Sequence, residues 1–130
     1  MRFDHVGIAA RDAAALVDRF GRLFDAPVVH EETVDGMRVA FLELDDGSHL
    51  ELLEPTEDGP VAEFLDREGP GIHHVALATE DLPAALDRAR GLGIDLVDEE
   101  PRPGARGHEV AFLHPHSTGG VLVEFVDPGD

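Results

Sequence analysis

Apolar and polar residues alternate along several short stretches of this chain, which is the pattern of half-buried strands. Residues 3–9 alternate in this way, with Val6 and Ile8 on one side and His5 on the other. A helical pattern follows, because apolar residues recur at the i, i+4, i+7, i+8 spacing of an amphipathic helix. Its stripe is Leu16, Phe20, Leu23 and Phe24. Asp12 is the predicted N-cap of this helix.

Three further strands are predicted in the first half of the chain. They cover residues 28–34, 39–44 and 49–53, and Asp35-Gly36 is a turn signal between the first two. The first half therefore reads β-α-β-β-β. Residues 56–70 form a linker, in which Val61, Phe64 and Leu65 allow a short helix.

The second half shows the same order of patterns. Residues 71–78 form a strand, and Asp81 opens a helix with Pro83 in its first turn and Gly93 as a C-cap candidate. The remaining predictions are a short strand at 94–97, a loop at 99–107, and strands at 108–113 and 120–126.

The two halves are related by an internal duplication. His5 and His74 are 69 positions apart. The segment Val39-Ala-Phe-Leu is repeated 71 positions later, starting at Val110, and Leu50-Glu51 is repeated as Val123-Glu124, 73 positions later. The sequence predicts a single α+β domain over residues 1–130. It consists of two tandem βαβββ modules, at about 3–55 and 71–128, with the linker between them.

Charge is the unusual feature of the composition. The chain has 28 acidic and 10 basic residues, a net charge of −18, and no cysteine. It therefore repels nucleic acid and anionic membrane surfaces, and it has no disulfide or thiolate metal site. No apolar run approaches membrane-spanning length and no signal pattern is present, so we expect a cytoplasmic protein. The composition resembles that of halophilic proteins, whose self-repulsion is screened in concentrated salt.

Strand parity identifies the candidate chemistry. His5 shares a face with Gly7 and Ala9, and His74 shares a face with Ala76 and Ala78, so neither histidine has bulky neighbours beside it. Glu51 and Glu124 are each flanked by core-type residues and therefore face away from the helices. A buried carboxylate is costly unless it is paired or bound to a cation. His5, Glu51, His74 and Glu124 together offer two nitrogens and two oxygens, a suitable ligand set for a divalent metal ion.

Each of these residue types has an ordinary structural explanation when it occurs alone. A single histidine on a strand is usually hydrogen-bonded within the fold, and a single glutamate usually faces solvent. It is the ordered repetition of both that favours a site. His73 fails the parity test and is expected to be structural, His49 and Glu43 are expected to line the pocket, and His30 and His108 are expected at the surface. Asp4, Glu54 and Asp127 are expected to be solvated.

Several segments resemble the methylmalonyl-CoA epimerase family of the vicinal-oxygen-chelate superfamily, over about residues 3–126. They are Asp4-His5-Val6-Gly7-Ile8-Ala9, Glu51-Leu52-Leu53-Glu54-Pro55, Gly71-Ile72-His73-His74-Val75, Phe112-Leu113-His114-Pro115 and Ser117-Thr118-Gly119-Gly120-Val121-Leu122-Val123-Glu124. The resemblance implies a cupped eight-stranded sheet around a divalent metal held by the same four residues, in a homodimer. It also implies interconversion of the (2R) and (2S) forms of methylmalonyl-CoA.

The chain departs from this family at three positions. Some members have glutamine in place of Glu51, some carry a carboxylate where Val39 stands, and many have lysine where this chain has His116. His116 is therefore a candidate contact to the CoA substrate. Glu51 and Glu124 are the candidate base and acid for proton transfer at C2, around a metal that acts as a Lewis acid.

Cobalt, manganese, nickel and zinc all suit this donor set, and the sequence does not select among them. The alternatives are a glyoxalase I-type lactoylthiol lyase, which uses the same ligand types, and a metal-free small-molecule-binding protein of the same fold. A ring-cleaving dioxygenase fits less well, because the chain is short and two of the four candidate ligands are carboxylates.

Overall fold

The computed structural model describes residues 1–129. Its strands are β1 (Arg2–Ala9), β2 (Val28–Val34), β3 (Met37–Glu43), β4 (His49–Pro55), β5 (Gly71–Ala78), β6 (Arg102–Pro103), β7 (Glu109–Leu113) and β8 (Val123–Asp127). Its helices are α1 (Ala13–Phe24), α2 (Pro60–Glu68) and α3 (Leu82–Gly91), with short 3₁₀ turns at Ala105–Gly107 and Pro115–Ser117. The predicted α+β order, β-α-β-β-β twice with a short helix between, is confirmed, but β6 lies within residues 99–107, which were predicted to be a loop.

The eight strands form two sets of four, one in each module. The strands of the first module follow the order β2-β3-β4-β1, and those of the second module follow β5-β8-β7-β6. In both modules the first strand pairs in parallel with the last, and the remaining pairs are antiparallel. This parallel pairing places each candidate histidine on the strand next to its candidate glutamate.

The chain divides into two compact units, residues 5–73 and residues 1–4 with 74–130. The core of the first unit lies between α1 and the sheet, where Ala13 packs with Leu42 and Leu52. The core of the second lies under α3, where Leu82 and Leu86 pack with Phe125. Each helix therefore covers one face of its own strands, and the histidines and glutamates lie on the other face.

Both predicted helix N-caps are present. The side chain of Asp12 accepts a hydrogen bond from Ala15 N, and that of Asp81 accepts one from Ala84 N, each at 3.1 Å. At the other end of α3, the cap residue is Leu92 and not Gly93. Gly93 comes next, with φ +77°, a left-handed conformation that favours glycine.

Two predictions for the second module are wrong in detail. Residues 94–97 form a single bridge, Leu96 to Leu113, and not a strand. Backbone bonds from Val97 N to Phe112 O and from His114 N to Asp95 O remain, but side chains interrupt the ladder, because Ser117 Oγ accepts from Asp95 N and Asp98 Oδ2 accepts from Phe112 N. The strand predicted from residue 120 begins at Val123, because Gly119 and Gly120 have φ values of +71° and +90°.

Candidate metal centre

The first His–Glu pair lies on the two parallel strands β1 and β4. Gly7 is the register partner of Glu51, so the glutamate stands beside a residue without a side chain. His5 projects from the same face two residues earlier, and its Nε2 lies 3.2 Å from Glu51 Oε1. His5 is 3% exposed and Glu51 5%, so this pair is removed from water.

The second pair repeats this arrangement on β5 and β8. Ala76 is the register partner of Glu124, again a small neighbour, and His74 precedes it by two residues. His74 Nε2 lies 3.3 Å from Glu124 Oε1, and the two residues are 4% and 7% exposed. The duplication found in the sequence therefore holds for the positions of the side-chain atoms within each unit.

A phenylalanine accompanies each pair, and the sequence reasoning assigned it no role. Phe41 is the register partner of Glu51, and its ring meets His5 edge-on, with centroids 5.6 Å apart at 86°. Phe112 is the partner of Glu124, and its ring meets His74 at 5.5 Å and 83°. The Val-Ala-Phe-Leu repeat was the available signal, since both rings lie within it.

The electrostatics of each pair favour a bound cation. Burying a carboxylate costs several kcal/mol unless charge and hydrogen bonds offset the loss of water. Imidazole nitrogen and carboxylate oxygen are the donors that zinc and similar first-row ions accept. The edge of each phenylalanine ring holds its histidine in a fixed orientation. These residues could therefore hold a divalent metal ion.

The candidate substrate contacts are less buried. His49 stands at the start of β4, with its Nε2 3.6 Å from Oε1 of Glu43, and their side chains are 13% and 46% exposed. His116 is exposed. Its Nε2 lies 2.6 Å from Asp95 Oδ2, and its ring stacks on that of His114 with centroids 3.9 Å apart. Within its own unit, His49 lies near the first His–Glu pair, because its register partner is His5.

The remaining expectations for polar residues had mixed outcomes. His73 packs its ring edge-on against Phe64 at 5.0 Å, as expected of a structural residue. His30 and His108 are half-buried, and not at the surface as expected.

The expectation of solvated acids was wrong for Asp4. Asp4 is 4% exposed, and its Oδ2 accepts from Arg106 Nη2 at 3.0 Å. Glu54 is half-buried and accepts from Ala13 N and Arg38 Nη1 at 2.9 and 2.6 Å. Asp127 is half-buried as well.

Residues 4–112 match the family model described as the glyoxalase/bleomycin resistance protein/dioxygenase superfamily. The chain belongs to this superfamily. The ethylmalonyl-CoA/methylmalonyl-CoA epimerase of Cereibacter sphaeroides is 38% identical over 128 residues, which cover 95% of each chain.

Solved structures of the same kind of enzyme share the fold. Methylmalonyl-CoA epimerase from Mycobacterium tuberculosis gives a TM-score of 0.94 at 36% identity, over 99% of this chain and 89% of that one. A methylmalonyl-CoA epimerase in complex with methylmalonyl-CoA and ammonium gives 0.90 at 39% identity, over 97% and 93%. Within residues 1–129, no helix has the length and apolar character needed to cross a membrane.

Proposed function

We propose that this protein is a metal-dependent epimerase that interconverts (2R)- and (2S)-methylmalonyl-CoA. The observation that carries the proposal is the matched buried set of histidine, glutamate and phenylalanine in each module. This set occurs in a chain that is 38% identical, over 95% of its length, to an epimerase of ethylmalonyl-CoA and methylmalonyl-CoA. A duplicated site suits the reaction, because inversion at C2 needs a proton acceptor on one side and a donor on the other.

The metal ligands in this proposal are His5, Glu51, His74 and Glu124. Supporting it, His5 and Glu51 are paired within one unit, with Nε2 3.2 Å from Oε1. Glu124 joins the set through its 3.3 Å contact with His74. Two nitrogens and two oxygens suit cobalt, manganese, nickel or zinc.

The metal would supply Lewis-acid stabilisation of the negative charge that develops when the proton leaves C2. The protein supplies the proton transfers. We assign Glu51 and Glu124 as the two carboxylates that alternate, one taking the proton from C2 and the other returning a proton to the opposite face. Phe41 and Phe112 lie in register beside them and exclude water, which limits proton loss to solvent.

We further propose three contacts to the CoA thioester, made by His49, Glu43 and His116. His49 and Glu43 lie beside the first His–Glu pair, and His116 stands in the Pro115–Ser117 turn shortly before β8. A cytoplasmic homodimer completes the proposal. Its adaptation to high salt is supported by the net charge of −18 and the absence of lysine.

The test is proton exchange at C2. The protein is loaded with cobalt in about 2 M KCl prepared in D₂O, where surface charge is screened, and receives one stereoisomer of methylmalonyl-CoA. We expect metal-dependent deuterium incorporation at C2 together with formation of the other isomer. Exchange without inversion would contradict the two-carboxylate assignment. Absence of exchange in metal-loaded protein would overturn the proposed activity, and a methylglyoxal–thiol assay would then test the lyase alternative.

Glutamine substitutions separate the roles of the two glutamates. Glu51→Gln and Glu124→Gln keep the side-chain size and remove the carboxylate. We expect each variant to lose at least about 100-fold in epimerisation, since general acid–base groups contribute roughly that much or more. Metal content is measured on the same samples. A variant that keeps full activity with normal metal content removes that glutamate from proton transfer.

A further inference from the structure

The two modules differ at one pair of neighbouring positions on the face that carries the proposed ligands. His5, Phe41 and Glu51 have counterparts of the same type in the second module. Glu43 and His49 do not, because the same offsets of 71 and 73 residues lead to His114 and Leu122. The duplication is therefore broken where the first module carries an imidazole and the second carries an apolar side chain.

Register and packing place His49 on the ligand face. Its register partners are Glu43 on β3 and His5 on β1, so the three residues form one row across three strands. Its ring meets Phe41 edge-on at 6.0 Å and 85°, and His5 contacts the same phenylalanine. His49 and His5 therefore both pack against one apolar ring.

Glu43 can hold the His49 ring in place. Its Oε1 lies 3.6 Å from His49 Nε2, which is ion-pair range and longer than an ordinary hydrogen bond. Glu43 is about half-exposed while His49 is largely covered, so the carboxylate stays hydrated and the imidazole does not. Such a carboxylate orients an imidazole ring.

This inference rests on the proposed function and concerns how the substrate is oriented. The substrate has two unlike ends, a neutral thioester carbonyl and a free carboxylate, and a ligand set repeated in both modules offers each end similar groups. We propose that His49 is a specificity-determining residue that donates an N–H to the free carboxylate, with Glu43 as its positioning residue.

The test is a binding measurement, so that it does not depend on catalysis. Cobalt-loaded protein is titrated calorimetrically with methylmalonyl-CoA and with propionyl-CoA, which differs by lacking the carboxylate. The readout is the ratio of the two dissociation constants. We expect His49→Leu to lower the preference for methylmalonyl-CoA by about tenfold or more, the usual contribution of a hydrogen bond to a charged group. Glu43→Gln should lower it by a smaller factor.

The matched control is His30→Leu. His30 also lies beside Phe41, with ring centroids 6.2 Å apart, and also has a glutamate partner, Glu32, with Nε2 to Oε1 at 3.2 Å. It differs in standing on β2, two strands from β4 in the sheet order. We expect its preference ratio to stay within about twofold of wild type, since it makes no hydrogen bond to the substrate.

The outcomes separate this inference from the proposed function. An unchanged ratio in His49→Leu, or an equal loss in His30→Leu, overturns the role of His49 even where the wild type epimerises its substrate. A wild type without preference for the carboxylate overturns it as well. If His49→Leu fails to fold, His49→Gln takes its place, because it removes the ring and keeps a donor. A lowered ratio then supports the proposal, and an unchanged ratio contradicts it.

Discussion

Metal binding should stabilise the fold through His74 and not through its neighbour His73. The two residues are adjacent on β5 and have opposite surroundings. His74 is 4% exposed and pairs with Glu124, whereas His73 is half-buried and packs on Phe64. Replacing each by glutamine makes a matched pair of variants, in which only one loses a proposed ligand.

The size of the effect follows from linkage. A ligand that binds only the folded state stabilises it by about 2.7 kcal/mol at 100 times its dissociation constant. For a domain of this length, about 1 kcal/mol shifts the melting temperature by about 4 °C. Cobalt at that concentration should therefore raise the melting temperature of the wild type by about 10 °C. His74→Gln should lose most of this response, and His73→Gln should keep it.

The assay is a thermal melt followed by circular dichroism, with and without cobalt and with excess chelator. Both variants should start below the wild type, by about 1–3 kcal/mol for His74→Gln, because a buried glutamate loses its imidazole partner. His73→Gln should lose about 1 kcal/mol of ring packing. The baseline shifts do not affect the conclusion, which depends on the metal response alone. An equal cobalt response in the two variants would refute the assignment of His74 as a ligand.

Three other predictions follow from the fold. Leu86→Ala should destabilise the protein by about 2–5 kcal/mol in urea unfolding, because Leu86 is fully buried on the inner face of α3, and a loss below about 1 kcal/mol would contradict that packing. Asp12→Ala and Asp81→Ala should each cost about 1 kcal/mol by the same method, whereas Asp66→Ala, exposed within α2, should cost less than about 0.5 kcal/mol. Dialysis from molar KCl to about 0.1 M should weaken the far-UV circular dichroism signal, because repulsion among the 18 excess acidic residues is then less screened. An unchanged signal would count against salt adaptation.

The fold and the residue types of the site could be predicted because the duplication repeats local patterns. Alternation on β1 and β5 fixed the faces of His5 and His74, and the flanking core residues fixed those of Glu51 and Glu124. Parity of this kind is a local property, and the observed burial of all four residues agrees with it. The same reasoning located both helix N-caps from single aspartates.

What the sequence could not supply depends on distant partners. Asp4 was expected in solvent, yet Arg106, which is 102 positions away, reaches it and donates to its carboxylate at 3.0 Å, whereas the nearby Arg2 lies 3.8 Å from it. The 94–97 segment was expected to be a strand because its composition suits one. The Ser117 and Asp98 side chains accept from two backbone N–H groups there and so interrupt the backbone pairing. Both errors arise from contacts that no short window of sequence contains.

The ion pair between Asp4 and Arg106 also has a consequence for the order in which the protein can mature during synthesis. At roughly 5–20 residues per second, the ribosome needs about 5–20 s to add the 102 residues between the two. Residues 5–73 are complete well before Arg106 exists, whereas Met1–Asp4 belong to the unit made last. The start of β1 therefore cannot form this ion pair until Arg106 has been synthesised. A nascent chain halted before residue 106 has the Asp4 carboxylate without this arginine.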